Sequence, residues 1–376
     1  MNLTVCAPCH FGLEGLVAEE MRRLGLKNVR AENGRVRFDG NDGDLARASI
    51  WLRCAERLLV EVGSFPAATF DQLFEGVKAL PLEDFIPKNA AFPVKGYSLD
   101  SKLFSISDCQ AIIKKAAATR LSSKYGIDWL PEDGETLQIR FAIMNDIATI
   151  YLDASGDGLH KRGYRPAHVA APLSETLAAA MVILSKYRGK EDFCDPFCGS
   201  GTLPIEAALI AKNRAPGLKR SFAAENWSCL DKRAWSDARQ EAPSREYNGD
   251  YRIFGSDMDP TAIEMSKSNA ALAGVGDMIS FEVADATKFD RKTDRGILVT
   301  NPPYGERLME KREAEGLYSG FGKALFATNN WKLYLLSSHT EFERTFGRQA
   351  DKKRKLYNGM IKCELFMYTN PTQGGI

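Results

Sequence analysis

The stretch Phe193-Cys194-Asp195-Pro196-Phe197-Cys198-Gly199-Ser200-Gly201-Thr202 joins a short apolar strand to a helix through an acidic residue and a glycine turn. From Leu173 onward, apolar strands and helices alternate, and the pattern ends in a hairpin signal around Asn358-Gly359. Strands separated by helices predict a parallel sheet that is covered on both faces. We therefore expect residues 173–376 to form a doubly wound, Rossmann-like α/β domain whose mostly parallel sheet finishes with an antiparallel hairpin.

The amino-terminal part of the chain has a less regular pattern of short strands and helices. Residues 1–57 predict a small α+β layer, in which Asp44 is expected to cap a helix. Residues 58–158 predict a second α+β unit that contains an amphipathic helix at Asp108–Tyr125. Residues 159–172 predict a basic connector, because glycine and proline break regular structure there.

Composition limits the classes of protein that the chain can belong to. At 376 residues and about 150 residues per domain, two or three globular units are expected. The 44% of hydrophobic and 26% of charged residues exclude disorder, and no apolar run is long enough to cross a bilayer. The opening residues lack the pattern of a signal peptide, so we expect a cytoplasmic protein with reduced cysteines. The Cys6-x-x-Cys9-His10 cluster lacks a second ligand pair, and we expect no metal.

The formal net charge of +1 hides one strongly basic segment. Residues 88–124 contain seven lysines and arginines against two aspartates, a local charge of +5. Such a segment is either a solvated helix face, which composition alone favours, or a surface that contacts phosphates.

The glycine turn after Asp195 is informative because ligands of open parallel sheets bind beyond the carboxyl ends of the strands. A dinucleotide site favours G-x-G-x-x-G, whereas Pro204 stands at the third glycine position here. Asp195 would also repel a pyrophosphate. A cofactor that carries an ammonium and a sulfonium but no phosphate suits this carboxylate better.

Two further carboxylates follow later strands of the same domain. Asp257 is placed to accept hydrogen bonds from two ribose hydroxyls. Asp285 is placed to accept one from an adenine amino group, while the backbone N–H after it donates to the ring. Each aspartate taken singly is more readily explained as a helix cap.

The fourth strand ends in Thr300-Asn301-Pro302-Pro303-Tyr304-Gly305. This run is either a rigid turn or the site of a reacting amine. An exocyclic NH₂ group delocalises its lone pair into the ring, and acceptors that hold both protons favour a more pyramidal, nucleophilic nitrogen. The Asn301 side-chain carbonyl and the Pro302 main-chain carbonyl supply two acceptors whose direction the prolines fix. Tyr304 is placed to stack on the base, which would have to be flipped out of any duplex.

Together these motifs resemble the class I S-adenosylmethionine-dependent methyltransferases that act on exocyclic amines. Ser101-Lys102-Leu103, Asp108-Cys109-Gln110 and Lys114-Lys115-Ala116 resemble the THUMP RNA-binding domain of bacterial enzymes similar to the amino-terminal half of RlmL, which methylate guanine N2 in large-subunit ribosomal RNA. The resemblance covers nearly the whole chain. It implies a ferredoxin-like subdomain at 1–57, a THUMP domain at 58–158, the connector at 159–172 and a methyltransferase domain at 173–376. The second methyltransferase half of the longer bacterial enzymes has no counterpart here, so a single modification is implied.

The resemblance also implies roles for individual residues. S-adenosylmethionine is the implied cofactor, and the implied partner is RNA, either 23S rRNA or a ribosomal precursor. No metal, membrane or obligate protein partner is implied. The implied catalytic residues are Asn301, Pro302, Pro303 and Tyr304. The implied cofactor-binding residues are Pro172, Asp195, Phe197, Gly199, Gly201, Thr202, Asp257, Met258, Asp285, Ala286 and Asn301. The implied RNA-binding residues are Lys95, Lys102, Lys114, Lys115, Lys161, Arg162 and Arg165.

Four other functions remain open on the residues alone. The Asn-Pro-Pro-Tyr arrangement also serves DNA adenine-N6 methyltransferases and enzymes that methylate a glutamine side chain in a protein. Guanine-N2 methylation of tRNA is a third alternative. A non-catalytic RNA-binding assembly factor that retains the pocket is the fourth.

Overall fold

Two mixed seven-stranded sheets with helices packed on them make up residues 1–165, 173–304 and 311–372, which are the residues that this computed structural model describes. The first sheet contains β1 (Leu3–Pro8), β2 (Lys27–Glu32), β3 (Arg35–Gly40), β4 (Leu59–Pro66), β5 (Val94–Leu99), β6 (Ile139–Met144) and β7 (Ile147–Asp153). Its order is β2-β3-β1-β4-β7-β6-β5, and only the β5–β6 pair is parallel. Because β1 pairs with β4, one continuous sheet runs through both predicted α+β layers.

Four helices accompany the first sheet: α1 (Glu14–Arg23), α2 (Asp42–Trp51), α3 (Phe70–Ala79) and α4 (Ile106–Tyr125). Helix α4 is the predicted amphipathic helix, and its buried side chains include Ile113 and Leu121. The predicted cap at Asp44 is wrong. Asn41 caps α2, and the Asp44 carboxylate accepts the backbone N–H of Asn41 at 3.1 Å, because a capping box places the acidic residue three positions inside the helix.

The second sheet contains β8 (Asp192–Asp195), β9 (Ile253–Asp257), β10 (Ile279–Val283), β11 (Gly296–Thr300), β12 (Trp331–Ser337), β13 (Lys352–Asn358) and β14 (Ile361–Tyr368). Its order is β10-β9-β8-β11-β12-β14-β13. The first five strands are parallel, and β14 and β13 add an antiparallel hairpin. This is the predicted Rossmann-like α/β fold. The hairpin loop is Gly359-Met360 instead of the expected Asn358-Gly359, and Gly359 supplies a positive φ of 62°.

Six helices follow α4 in the described residues: α5 (Glu175–Leu184), α6 (Thr202–Ala211), α7 (Arg233–Glu241), α8 (Pro260–Ala273), α9 (Lys311–Phe326) and α10 (Phe342–Phe346). A core of buried aromatic side chains lies between α9, α10 and the sheet, and it includes Tyr318, Phe321, Trp331 and Phe346. This packing fixes the position of β11 and β12.

The chain divides into two compact units. The first consists of Met1–Cys9, Val17–Leu159 and Arg220–Glu241, and the second of His10–Leu16, His160–Lys219 and Ala242–Ile376. Helix α7 therefore belongs to the first unit, where it packs on α2. The four predicted domain boundaries stay predictions. Among the described helices, none is long and apolar enough to span a membrane.

Candidate active site

The second sheet brings the candidate site residues of four strands to one edge. Strands β10, β9, β8 and β11 are parallel neighbours, so their carboxyl ends lie at the same edge of the sheet. Asp195 ends β8, Asp257 ends β9, Asp285 follows β10 and Asn301 follows β11. The chain order reverses between β8 and β11, which is where open α/β sheets bind ligands.

A buried hydrogen bond joins the two strands at this reversal. Thr300 Oγ1 donates to Asp195 Oδ1 at 2.6 Å, and the backbone N–H of Phe197 donates to the same oxygen at 3.1 Å. Asp195 is only 1% exposed, and this burial raises the pKa of its carboxyl to about 7, with the Thr300 bond acting in the opposite direction. Asp195 therefore links the glycine-turn strand to the Asn-Pro-Pro-Tyr strand. This role of Thr300 was not predicted from the sequence.

The glycine turn is open on one side and tightly packed on the other. Gly199 has a φ of 51°, and a Cβ added there would meet no atom within 4 Å. Gly201 has a φ of 81°, and a Cβ there would approach the Ser266 side chain to 3.0 Å. Both positions require glycine for their backbone conformation. The backbone N–H of Gly199 also donates to Asp257 Oδ2 at 2.9 Å, which ties the turn to the next strand.

Two polar side chains of α8 hold the glycine turn from behind. Ser266 Oγ donates to the carbonyl of Gly199 at 2.6 Å, and Asn269 Nδ2 donates to the carbonyl of Ser200 at 2.9 Å. Both side chains are buried. Two polar residues three positions apart share one face of a helix, and this spacing is the sequence signal by which such a support can be found.

The two later carboxylates also hold the backbone. Asp257 Oδ1 accepts the N–H of Asp259 at 3.1 Å. Asp285 Oδ1 accepts from the backbone N–H and the hydroxyl of Thr287, at 2.9 and 2.7 Å, which lowers the pKa of this carboxyl. Asp285 is thus a cap, as its position after a strand suggested. Each carboxylate has two oxygens with two lone pairs each, so capping leaves acceptors at the sheet edge.

The remaining predicted cofactor residues differ in exposure. The ring of Phe197 packs edge-on against α9, and the side chains of Ala286 and Thr202 are buried. Met258 is 64% exposed. Pro172 lies outside the described residues. The first three side chains therefore face the protein interior, while Met258 faces solvent beside Asp257.

The Asn-Pro-Pro-Tyr turn is held by two tyrosine hydroxyls. Tyr304 donates to the side-chain oxygen of Asn301, and burial raises the pKa of Tyr304 well above its usual value. Tyr318 of α9 donates to the carbonyl of Pro303 at 2.6 Å. Pro302 of the same turn is buried. Helix α9 therefore helps to fix the turn, a support that the local sequence of the turn does not reveal because Tyr318 lies 15 positions beyond Pro303.

The predicted RNA-binding lysines of the first unit fall into two kinds. Lys95, Lys102 and Lys115 are exposed. Lys114 is half-buried, and its ammonium lies 2.6 Å from a carboxylate oxygen of Glu132 and 3.4 Å from the ring centre of Phe92. Three of the four amino groups are therefore open to solvent, and the fourth is already paired.

The predicted RNA-binding residues of the connector also differ from one another. Lys161 is exposed. Arg162 is buried beside Glu206, with 3.5 Å between its Nε and a carboxylate oxygen. Arg165 forms an ion pair with Glu175 at 2.9 Å. Both arginines are thus committed to carboxylates inside the second unit.

The site residues fit S-adenosylmethionine. Carboxylates at the ends of three neighbouring strands match an ammonium, a ribose and an adenine amino group, and the open side of Gly199 leaves room for close approach. In the described residues, no group of three or more potential metal ligands occurs.

Comparison with known families assigns three segments. Residues 162–366 match a family described as RMKL-like, methyltransferase domain, which covers more than half of the chain. Residues 4–59 match the RlmL ferredoxin-like domain, and residues 67–153 match the THUMP domain.

Two curated relatives match almost the whole chain. YpsC of Bacillus subtilis (strain 168), provisionally named an RNA methyltransferase, is 45% identical over 97% of this chain and 95% of its own length. The ribosomal RNA large subunit methyltransferase K/L of Psychromonas ingrahamii is 35% identical over 97% of this chain. The match covers 50% of that relative, so the chain spans about half of its length.

Solved structures share the fold. A Listeria monocytogenes protein described as a predicted N6-adenine-specific DNA methylase is 44% identical, with a TM-score of 0.93 over 98% of this chain and 96% of its own. SMU.472, a methyltransferase by provisional name, was solved in complex with S-adenosylhomocysteine. It is 39% identical, with a TM-score of 0.92 and 98% of both chains covered.

Proposed function

The chain belongs to the RMKL-like methyltransferase family, and from this premise we propose that it methylates the exocyclic N2 amine of a guanine in 23S rRNA. Its broader activity is that of an S-adenosylmethionine-dependent RNA methyltransferase. The observation that carries the proposal is the Asn301-to-Tyr304 turn at the end of β11, next to Asp195 at the end of β8. Because the proposed substrate is ribosomal RNA, we expect the protein to act in the cytoplasm.

The cofactor half of the site uses the three strand-end carboxylates. S-adenosylmethionine, when bound, supplies an electrophilic methyl group on a sulfonium. Asp195 would balance its ammonium, Asp257 would accept hydrogen bonds from the ribose hydroxyls, and Asp285 would accept one from the adenine amino group. Gly199 would admit the ligand to the backbone, because nothing fills the space on its open side.

The target half of the site uses acceptors. The side-chain oxygen of Asn301 and the carbonyl of Pro302 would hold the two protons of the guanine amine, which directs the nitrogen lone pair at the methyl group. Tyr304 would stack on the base. Orientation of this kind contributes up to about 7–11 kcal/mol to the lowering of a barrier. The methylated nitrogen is briefly cationic and loses its proton readily, so a strong base is not required.

Tyr304 donates its hydroxyl to the same Asn301 oxygen that the amine needs. A side-chain amide oxygen has two lone pairs, so the hydroxyl and one amine proton can share it or exchange on it. The contact holds the Asn301 amide in a single orientation before the base arrives, which lowers the cost of ordering the site.

RNA is supported as the substrate by the THUMP match and by the exposed lysines of the first unit. Ribosomal RNA is supported by the name of the Psychromonas relative. The two acceptors do not distinguish guanine from adenine, because both bases offer an exocyclic amine to them. The choice of guanine is therefore supported by the resemblance of the chain to guanine-N2 methyltransferases. The name of the Listeria relative makes adenine in DNA the outcome to test against.

The target is tested with purified protein, labelled S-adenosylmethionine and separate pools of ribosomal RNA, ribosomal precursors, tRNA and DNA. We expect label in the large-subunit RNA, recovered by nucleoside mass spectrometry as N2-methylguanosine. N6-methyladenosine, or label confined to DNA or tRNA, would overturn the proposal.

The role of Asn301 is tested with Asn301→Ala. We expect cofactor affinity to stay within about twofold, while single-turnover methyl transfer falls by at least about 100-fold, because removing one acceptor from a charge-stabilising site costs about that much. An unchanged single-turnover rate would show that Asn301 does not hold the amine.

A further inference from the structure

Three side chains of the connector, at positions 162, 164 and 165, contact two residues of helix α6. Arg162 lies 3.5 Å from Glu206, and the Tyr164 hydroxyl donates to the same carboxylate oxygen of Glu206 at 3.1 Å. Arg165 Nη1 donates to Thr202 Oγ1 at 2.9 Å. Thr202 and Glu206 are four positions apart, so they lie on the same face of the helix, one turn apart.

These contacts lie in the interior of the second unit. Glu206 is 0% exposed, and Arg162 and Tyr164 are each 3% exposed. Arg165 also forms an ion pair with Glu175 at 2.9 Å and donates to the carbonyl of Leu173 at 3.0 Å. A charge in such surroundings needs its partners, because water is not there to replace them. The two arginines are therefore committed to the protein.

Helix α6 is the element that the glycine turn leads into. Gly201 is the residue that precedes the helix, and Thr202 is its first residue. The Ser200 hydroxyl lies 3.3 Å from Thr202 Oγ1, so the turn and the side chain held by Arg165 are directly connected. A shift of Thr202 would therefore displace the backbone from Gly199 to Gly201, which would lie against the cofactor in the proposed site.

We propose that Arg165 is a positioning residue for the cofactor site, which holds the glycine turn in place through Thr202, with Glu175 fixing the Arg165 guanidinium. Arg162 and Tyr164 support the same helix one turn further on. This role replaces phosphate binding as the function of the two connector arginines. The inference rests on the cofactor part of the proposed function, and it does not depend on which nucleotide is methylated.

The mechanism of this effect is geometric. A displacement of about 1 Å at a residue remote from the chemistry can change activity by about 100-fold. Loss of the Arg165 side chain removes the bond to Thr202 and leaves the Glu175 carboxylate, which is 4% exposed, without its ion pair. The turn would then sample positions that fit the cofactor less well, which raises the KM for the cofactor more than it lowers kcat.

The test compares Arg165→Gln with Lys115→Gln, which removes one exposed charge from the first unit. Calorimetry gives the Kd for S-adenosylhomocysteine, filter binding gives the RNA affinity at several salt concentrations, and kinetics give KM and kcat. For Arg165→Gln we expect the Kd and the cofactor KM to rise about tenfold, with a smaller fall in kcat at saturating cofactor and an unchanged salt slope of RNA binding. Arg165→Lys, which keeps the charge and one donor, should recover part of the lost affinity.

An RNA-binding role predicts the opposite pattern. If Arg165→Gln weakens RNA binding, flattens its salt dependence and leaves cofactor affinity unchanged, the inference is wrong. Should Arg165→Gln fail to fold, as judged by circular dichroism, Glu175→Gln provides a second reading. Glu175→Gln keeps the side-chain volume and weakens the ion pair with Arg165, so we expect a smaller rise in the Kd for S-adenosylhomocysteine. An unchanged Kd would also overturn the inference. A wild type that methylates a different base contradicts the proposed target and leaves this inference intact.

Discussion

Two stretches of the chain look alike in sequence, because both are rich in lysine and arginine, yet the structure uses their charges differently. In residues 88–124 of the first unit, most cations lie at the surface. In the connector segment His160–Arg165 of the second unit, both arginines are directed at carboxylates inside the protein. The arginine side chains at positions 162 and 165 are 2% and 12% exposed.

The difference shows that positive charge in a sequence does not by itself indicate a surface for a polyanion. A cation is available to phosphate only if it is solvated and has no nearer carboxylate. Even residues 88–124 include paired cations, since Lys114 contacts Glu132 and Arg120 contacts Glu83. In the part of the chain that is described, Lys95, Lys102 and Lys115 form no ion pair.

The largest expected effect is on stability, from the most deeply buried pair. Glu206→Gln removes the negative charge that faces Arg162 but keeps the shape of the side chain. We expect the free energy of unfolding of the second unit to fall by about 3 kcal/mol, because breaking a buried ion pair leaves its charged partner poorly compensated. Urea unfolding measures the change as a lower midpoint at an unchanged slope.

The matched control is Glu132→Gln, which breaks the partly exposed pair with Lys114. Both side chains of that pair are 35% exposed, so we expect a loss of less than about 1 kcal/mol. Equal losses for the two variants would remove the distinction between the two basic segments.

The second prediction concerns Asp195, a buried charge of the opposite kind. No described cation pairs with it, and burial raises the pKa of its carboxyl to about 7. The ammonium of the cofactor favours the ionised form, so binding should release a proton below that pH. We expect affinity for S-adenosylhomocysteine to fall by up to about tenfold per pH unit as the pH drops below 7. Calorimetry in two buffers of different ionisation enthalpy measures the proton release.

The control for this pH effect is Asp195→Asn, which cannot ionise. Its cofactor affinity should be lower than that of the wild type at pH 8, and it should vary little between pH 6 and 8. A pH dependence that survives in this variant would assign the titration to another group.

The smallest expected effect is on RNA affinity, from single surface lysines. Lys115→Gln should raise the Kd for RNA about threefold at physiological salt. It should also lower the slope of log affinity against log salt concentration by about 0.7, because a complex with one phosphate contact fewer releases fewer counterions when it forms. Lys114→Gln should change both quantities less, since its ammonium is paired with Glu132. Filter binding across a salt series measures both. If neither slope changes, these lysines form a solvent-exposed helix face that does not contact RNA.

Much of the second sheet was predictable from the sequence. The alternation of apolar strands and helices that the sequence predicts after Leu173 is present in the structure, because buried parallel strands are apolar runs that polar residues, glycine and proline delimit. Strands β2 and β5 were not predicted. They are the two edges of the first sheet, where many side chains are exposed and the contrast between an inner and an outer face is weak.

The residues of the site divide in the same way. Asp195, Asp257, Asp285 and Asn301 were identified because each one lies at or just after the end of a strand, which is a local property of the sequence. Their supports were not identified, since they act from elsewhere in the chain. Thr300 is 105 positions from Asp195, and Ser266 is 67 positions from Gly199.

The sequence by itself determined the alternation of strands and helices, the glycine turn and the acceptors of the Asn-Pro-Pro-Tyr turn, because these depend on neighbours within a few residues. Only the tertiary structure decided which charges meet. Whether an arginine faces water or a glutamate depends on which elements pack against it, and that packing brings together residues that lie far apart along the chain. The sequence therefore predicts that the connector arginines bind phosphate, whereas in the fold they form internal ion pairs.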